Sequence, residues 1–253
     1  MTGPTPSSSG APPYPDPSIL SAAAHSRLRD ARGFAMAGSV TELAALDAAG
    51  LAPLGLVQGT SAYEVPLELG APLSGAEVPP ASQALSTARQ FALARLLAEA
   101  TMWQAHGVIG VIMEDRLHPT TATVVEVVAN ATAVRAVRDH PAIRADGEPF
   151  STSIPPEDLR PLLDRGLFPL AVVLGTCVVR LDPPAGWNGP GEVPALTQAA
   201  FDGRETALAR MQADATRRGA AGLLGVVVER RSHGWEDQAV EYLALGSAVG
   251  RGA

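Results

Sequence analysis

Two short stretches of the sequence carry the same three reactive residue types at alternate positions. They are Glu114, Arg116 and His118 in the first half and Glu229, Arg231 and His233 in the second. Because alternate side chains of a strand lie on one face, each stretch would place a carboxylate, a guanidinium and an imidazole together. Two more carboxylates, Glu126 and Glu241, would lie opposite Glu114 and Glu229 in a tightly turned hairpin. The pattern predicts a face in each half that could bind a ligand or a metal ion.

The chemistry of these faces leaves three interpretations open. These residues could bind a divalent metal ion or an anionic ligand, and the adjacent guanidinium argues against the metal. The simplest interpretation is that the residues form salt bridges at a strand end or between neighbouring modules. Catalysis is least favoured, because the sequence lacks a Ser/His/Asp order, a phosphate loop and a dinucleotide fingerprint. We expect a protein that is not an enzyme, with a divalent metal ion as its one candidate cofactor.

An internal repeat shows which residues of the two halves correspond. The segment Gly50–Thr60 returns as Gly166–Thr176, an offset of 116 residues, and after a one-residue slip in the next loop the offset is 115 to the end of the chain. We call residues related in this way matched residues. The constant register predicts two tandem copies of one module. We assign residues 1–30 to a disordered Pro/Ser-rich tail, 33–137 to the first module, 138–149 to a linker and 150–250 to the second module.

Hydrophobic periodicity gives both modules the same order of elements and an α+β class. A short helix precedes a strand, a long amphipathic helix and an antiparallel hairpin, so that each module reads β-α-β-β with an extra helix in front. The long helices are predicted over Ser82–Ala105 and Leu196–Arg218. The glycine before Thr60 should mark a bulge or a close backbone approach, and the glycines of 107–111 and 222–226 should let the helix pack closely on the sheet.

Composition narrows the function classes. The net charge is −7 and no basic cluster stands out, so nucleic acid is not an expected partner. The longest apolar runs reach about ten residues, too short to span a membrane as a helix. The N-terminus does not read as a secretory signal, which favours a cytoplasmic protein. Cys177, the single cysteine, lies in an apolar run and is expected to be a buried structural thiol.

A family resemblance appears at the helix-to-strand junctions. Gly219–Val226, GAAGLLGV, resembles the Gly-Ala-x-Ala-Val-x-Gly-Val hallmark of the YbjQ-like family, and the first copy keeps it less well, with Gln104 replacing the first glycine. The final strands, NATAV at 130–134 and GSAV at 246–249, resemble the Gly-Thr-Ala-Val of that family. The resemblance implies a dodecin-like subunit, with one helix on a three-stranded antiparallel sheet, that assembles into a ring, commonly a pentamer. It also implies a heavy-metal-binding label, but the chain has a single cysteine and lacks the cysteines that would support that label.

The sequence thus favours a non-enzymatic, self-assembling cytoplasmic protein that forms a ring and acts as a scaffold or shell of a larger complex. Its expected partner is itself, because small aliphatic cores and open sheet edges are stabilised by association. A fused pair could form a pentamer with ten modules, or its two modules could pair within one chain. The alternative is a metal- or small-ligand-binding protein that uses the repeated faces. The tail could dock a protein partner.

Overall fold

Two sheets and five helices make up the part of the chain that the computed structural model describes. This part comprises residues 20–31, 33–36, 38–66, 75–118, 121–137, 140–144, 147–181, 190–233 and 239–252. The elements are α1 (Ala22–Asp30), α2 (Val40–Ala48), β1 (Leu51–Glu64), α3 (Pro79–Met102), β2 (Gly107–His118), β3 (Thr121–Ala136), β4 (Phe150–Thr152), α4 (Pro156–Leu163), β5 (Leu167–Arg180), α5 (Pro194–Arg217), β6 (Gly222–Arg231) and β7 (Ala239–Arg251). The predicted α+β class is confirmed.

The two sheets differ by one strand. The first has the order β1-β3-β2-β4 and the second the order β5-β7-β6. β4 pairs in parallel with β2, Phe150 opposite Gly107, whereas the other strand pairs are antiparallel. The three-stranded sheet implied by the family resemblance is therefore wrong for the first sheet. The reason is local: a Cβ on Gly107 would come within 2.3 Å of the Phe150 ring, so glycine there lets Phe150 lie against the strand.

Helix α3 lies between the two sheets. Its buried residues, among them Leu85 and Leu96, share one hydrophobic core with Val172, Leu174 and Leu243 of the second sheet. Helix α5 packs on the opposite face of the second sheet, where Ala207 and Met211 meet Val173 and Cys177. Successive residues of β5 therefore alternate between α3 and α5, as the two-residue period of a strand requires. Strands β5 and β7 of the second sheet are therefore covered on both faces, whereas β6 is largely exposed.

Glycines fix two local features of the sheets. A Cβ on Gly59 would lie 1.9 Å from the Ala92 carbonyl oxygen and one on Gly175 would lie 2.0 Å from that of Ala207, so the predicted close approach is confirmed in both halves. Gly110 and Gly225 instead have φ of 66° and 59° at register shifts of β2 and β6. The prediction that these two glycines admit close helix packing is wrong, because their role is a backbone conformation that other residues rarely adopt.

Helix starts account for the other differences from prediction. Helices α3 and α5 begin at Pro79 and Pro194, ahead of the predicted starts, because proline is well suited to the first turn of a helix. Helix α1 falls inside the segment assigned to a disordered tail, and its N-terminus is capped by the Ser21 hydroxyl, which accepts from Ala24 N. Residues 1–19 of the predicted tail lie outside the described residues. No helix in the described ranges is long and apolar enough to cross a membrane.

Candidate functional site

A buried arginine lies at the contact between α3 and the second sheet. The Arg89 side chain is 0% exposed. Its Nη1 donates to Glu241 Oε1 at 2.5 Å and to Thr176 Oγ1 at 2.9 Å, and its Nη2 donates to Glu241 Oε2 at 2.9 Å. Its Nε donates to Asp115 Oδ2 at 3.0 Å. One guanidinium therefore joins α3 and β2 to the two strands β5 and β7.

Two further side chains complete this buried charge cluster, which we define as Arg89, Asp115, Arg231, His233 and Glu241. Arg231 Nη1 donates to Asp115 Oδ2 at 2.6 Å, and His233 Nε2 lies 2.7 Å from Glu241 Oε2. Oδ1 of Asp115 is buried and accepts no hydrogen bond from the described residues. The two guanidinium groups and the two carboxylates of the cluster balance each other in charge, which favours their burial together.

The cluster shifts the pKa values of Glu241 and Arg89 in the direction that keeps both groups charged. Burial alone would raise the pKa of Glu241, but the Arg89 charge and the hydrogen bond to His233 outweigh it and lower the pKa to about 2. Burial alone would lower the pKa of Arg89, and the carboxylates of Glu241 and Asp115 raise it above its ordinary value. Each charge thus depends on its neighbours, so removal of one leaves the others buried and unpaired.

A short segment before α3 adds backbone contacts at the edge of the second sheet. Val78 N donates to Val178 O at 2.8 Å, and Gly75 N and Ala76 O bond the backbone of Arg180. Glu77 lies opposite Val179 in an antiparallel bridge. Its carboxylate accepts from Arg210 Nη1 at 2.6 Å and from Nη2 at 3.0 Å. Residues 75–78 therefore extend the second sheet beyond β5, so that the edge strand is paired within the chain.

The predicted binding faces are occupied by salt bridges. In the second half Arg231 bonds Glu229 and reaches Asp115, and in the first half Arg116 Nη2 bonds Glu114 Oε2 at 2.7 Å. His118 ends β2 opposite Thr121. No group of three or more His, Cys, Asp or Glu residues in the described ranges is arranged to hold a metal ion. Ligand or metal binding by these faces stays a prediction, which elemental analysis of the purified protein against His118→Ala with His233→Ala can test.

The predicted register of the two hairpins is wrong by two residues. Glu126 lies opposite Arg116, not Glu114, and Glu241 lies opposite Arg231, not Glu229. The carboxylates of β3 and β7 thus face guanidinium groups across the hairpins instead of other carboxylates. Opposite charges on directly facing residues stabilise a hairpin, whereas like charges would destabilise it.

Sequence reasoning missed the residues that matter most at this contact. Arg89, Asp115, Thr176 and Glu77 were not predicted as site residues. A signal for three of them was present, because Arg89 matches Arg204, Glu77 matches Glu192 and Thr176 matches Thr60 with the residue type kept each time. Polar residues retained at matched positions indicate a shared contact. Cys177 is buried as predicted, and burial raises the pKa of its thiol to about 11.

Comparison with known proteins corrects the family assignment. No family model matches the chain. The chain is 34% identical over 244 residues to encapsulin nanocompartment protein Rv1762c of Mycobacterium tuberculosis, and the alignment covers 92% of each chain. The assignment to the YbjQ-like family, with its heavy-metal-binding and dodecin-like labels, is therefore wrong. It rested on short patterns of small residues, which helix-to-strand junctions of unrelated proteins can share.

Proposed function

The chain belongs to the family of encapsulin nanocompartment protein Rv1762c, and we propose that it is a non-enzymatic, self-assembling protein that acts as a scaffold or shell component of a protein nanocompartment. We propose further that its copies form a ring in the cytoplasm. The name of the relative supports the assignment to a nanocompartment. The structure supports self-assembly by an apolar surface that the described residues leave exposed.

The observation that carries the proposal is the exposed apolar strand β6. Leu224, Val226, Val227 and Val228 are 39%, 42%, 49% and 36% exposed. They lie on one edge strand of the second sheet. Contiguous apolar side chains on an open sheet edge are a usual mark of a protein interface, because they gain most from being removed from water. A partner that covers β6 is therefore expected.

The buried charge cluster supports a structural role instead of catalysis. The Arg89 side chain, which joins the members of the cluster, is 0% exposed, so a substrate would not reach it. Their bonds connect elements from both halves of the chain, which is what a structural contact needs. The single thiol, Cys177, is buried and protonated at neutral pH, which argues against its use as a nucleophile.

The mass of the protein in solution tests the proposal. We expect native mass spectrometry and light scattering at micromolar concentration to give a mass several times that of one chain, and removal of residues 1–19 to leave it unchanged. Extracts of the host, separated on a density gradient, should contain the protein in particles visible by electron microscopy. A protein that is monomeric at micromolar concentration and absent from such particles would contradict the proposal.

A further inference from the structure

We infer that copies of the chain join head to tail through a second version of the contact that holds α3 against the second sheet. In this arrangement α5 and β6 of one copy bind the outer face of the first sheet, β1 and the Phe34 segment of the next copy. The inference rests on the proposed self-assembly and specifies its interface. The contact within the chain serves as the template, because each of its parts has a matched residue elsewhere in the same chain.

The first matched element is α5, whose outward side none of the described residues covers. Arg204 matches the buried Arg89, yet its side chain is 46% exposed and bonds only the neighbouring Glu205 among the described residues. Phe201 beside it is 51% exposed, and the Arg204 guanidinium lies 4.8 Å from the centre of its ring. An arginine held over an exposed aromatic ring is well placed to enter an interface.

The acceptors that Arg204 needs lie on the outer face of the first sheet. Arg89 bonds Glu241 and Thr176, whose matched residues are Glu126 and Thr60. The register of the first sheet places Glu126 opposite Ala62, two residues beyond Thr60, as Glu241 lies opposite Val178, two residues beyond Thr176. The first sheet therefore carries the same pair of acceptors in the same relative positions.

The edge contact is repeated as well. Glu77 bonds Arg210, and their matched residues are Glu192 and Arg95. Glu192 is exposed just before α5, and Arg95 lines an open cleft of about 430 Å³ beside β1. Helix α1 contacts β1 at one end of this cleft, where Arg27 donates to the Leu56 carbonyl. Ala62 and Glu64, matched to the bonded residues Val178 and Arg180, are exposed farther along the strand.

The third matched element is the segment that extends the sheet on its other edge. Phe150 is buried against Gly107, but its matched residue Phe34 is 51% exposed. Gly222, matched to Gly107, has room for a ring beside it, since an added Cβ would meet nothing closer than Val249 at 3.8 Å. Residues 34–36 of a second copy could therefore pair in parallel with β6 and cover its exposed side chains.

The buried apolar residues of β2 show which residues of β6 this second contact would remove from water. Val111 and Met113 are buried in the core shared with Val172 and Leu243 of the second sheet. Their matched residues, Val226 and Val228, are exposed on β6. The first sheet of a second copy would lie over them, as the second sheet lies over Val111 and Met113. The exposed strand β6 of one copy is thus complementary to the outer face of the first sheet of another copy.

Two departures from the template set the strength of the contact between copies. Arg230 stands at the position matched to Asp115, so Arg204 meets one carboxylate fewer and one guanidinium more than Arg89 does. Gln58 and Asn130, which bond each other at 3.0 Å, replace Leu174 and Leu245 on the opposing face. The contact between copies is therefore more polar and more positively charged than the contact within the chain, and we expect it to respond more strongly to salt concentration.

Cysteine pairs in two different chains test the direction of the contact. Ser151 pairs with Val108 within the chain, and the matched residues are Ala35 and Leu223. A mixture of Ala35→Cys chains with Leu223→Cys chains should give a disulfide-linked heterodimer, and the double variant should give a ladder of larger products. Each single variant alone should stay unlinked, since Cys177 is buried. A mixture that forms no heterodimer would overturn the inference.

Charge reversal provides an independent test that keeps each chain folded. Arg204→Glu should raise the concentration at which the oligomer dissociates by about tenfold or more, because the introduced carboxylate would face Glu126 across the interface. Adding Glu126→Arg should restore the mass. Arg217→Glu, at an exposed position near the end of α5, is the control and should have no effect. Circular dichroism spectra identical to wild type show that the variants are folded.

These measurements separate the interface from the proposed function. A wild-type protein that is an oligomer, with its mass unchanged by Arg204→Glu and with no cross-link between Ala35→Cys and Leu223→Cys chains, would overturn the interface and leave self-assembly standing. A monomeric wild type would overturn both. Linkage in the mixture, loss of mass in Arg204→Glu and recovery with Glu126→Arg would together establish the head-to-tail contact.

Discussion

The two long helices, α3 and α5, are matched in sequence but differ in their surroundings. Helix α3 has a sheet on each side, and its Arg89 is 0% exposed between them. Helix α5 has a sheet on one side, and the matched Arg204 is 46% exposed. The difference arises because the second sheet packs on the outward side of α3, whereas no described element packs on the outward side of α5. Among the described residues, one of the two matched contacts is therefore closed and the other is open.

The largest effect is expected when the two arginines are replaced. Arg89→Met should lower the free energy of unfolding by about 3–5 kcal/mol, because Asp115 and Glu241 would stay buried without their counter-charge. Arg204→Met should change it by less than about 1 kcal/mol in the dissociated chain, because that side chain is exposed. Urea unfolding at low protein concentration measures both. Equal losses would mean that a single chain already covers α5.

Acid should open the closed contact at a pH set by Glu241. Its pKa is lowered from 4.5 to about 2, so the folded state holds the carboxylate charged more firmly than the unfolded state does. The resulting stability is complete above about pH 4.5 and is lost as the pH falls toward 2. Glu241→Gln should be less stable at neutral pH and lose less over that range, measured by thermal unfolding. Glu126→Gln, the matched substitution in the first sheet, is the control; if it flattened the acid profile as much, the assignment to Glu241 would fail.

Much of the fold could be predicted from the sequence because periodicity and the repeat acted together. The offset of 115 to 116 residues placed both long helices and both hairpins, whose apolar spacing is regular. Strand β4 could not be found in this way, since Phe150–Thr152 is too short to show alternation and pairs with a strand of the other half. Helix α1 was missed because its residues, AAAHSRLRD, have little apolar character and follow a Pro-rich stretch.

The candidate site was harder to predict than the fold. The repeated Glu, Arg and His residues were visible because they are close in sequence and alternate along a strand. Arg89 reaches Asp115 across 26 residues and Glu241 across 152, and no local pattern joins positions so far apart. The hairpin register was also missed, since a shift of two residues keeps every side chain on its face and exchanges only its partner. The comparison of Arg89 with Arg204 required the packing of α3 to be known.

The smallest effect is expected at two matched glycines, Gly107 on β2 and Gly222 on β6. It distinguishes these two strands most clearly. Gly107→Ala should cost about 1–3 kcal/mol in unfolding free energy, because the new methyl group would overlap the buried Phe150 ring. Gly222→Ala should leave the dissociated chain as stable as wild type, since Val249 at 3.8 Å leaves room for a methyl group. The same methyl group would meet Phe34 of the next copy, so Gly222→Ala should weaken assembly without weakening the chain. Thermal unfolding and light scattering on the same samples measure the two effects separately, and a Gly222→Ala protein with full mass would mean that Phe34 packs elsewhere.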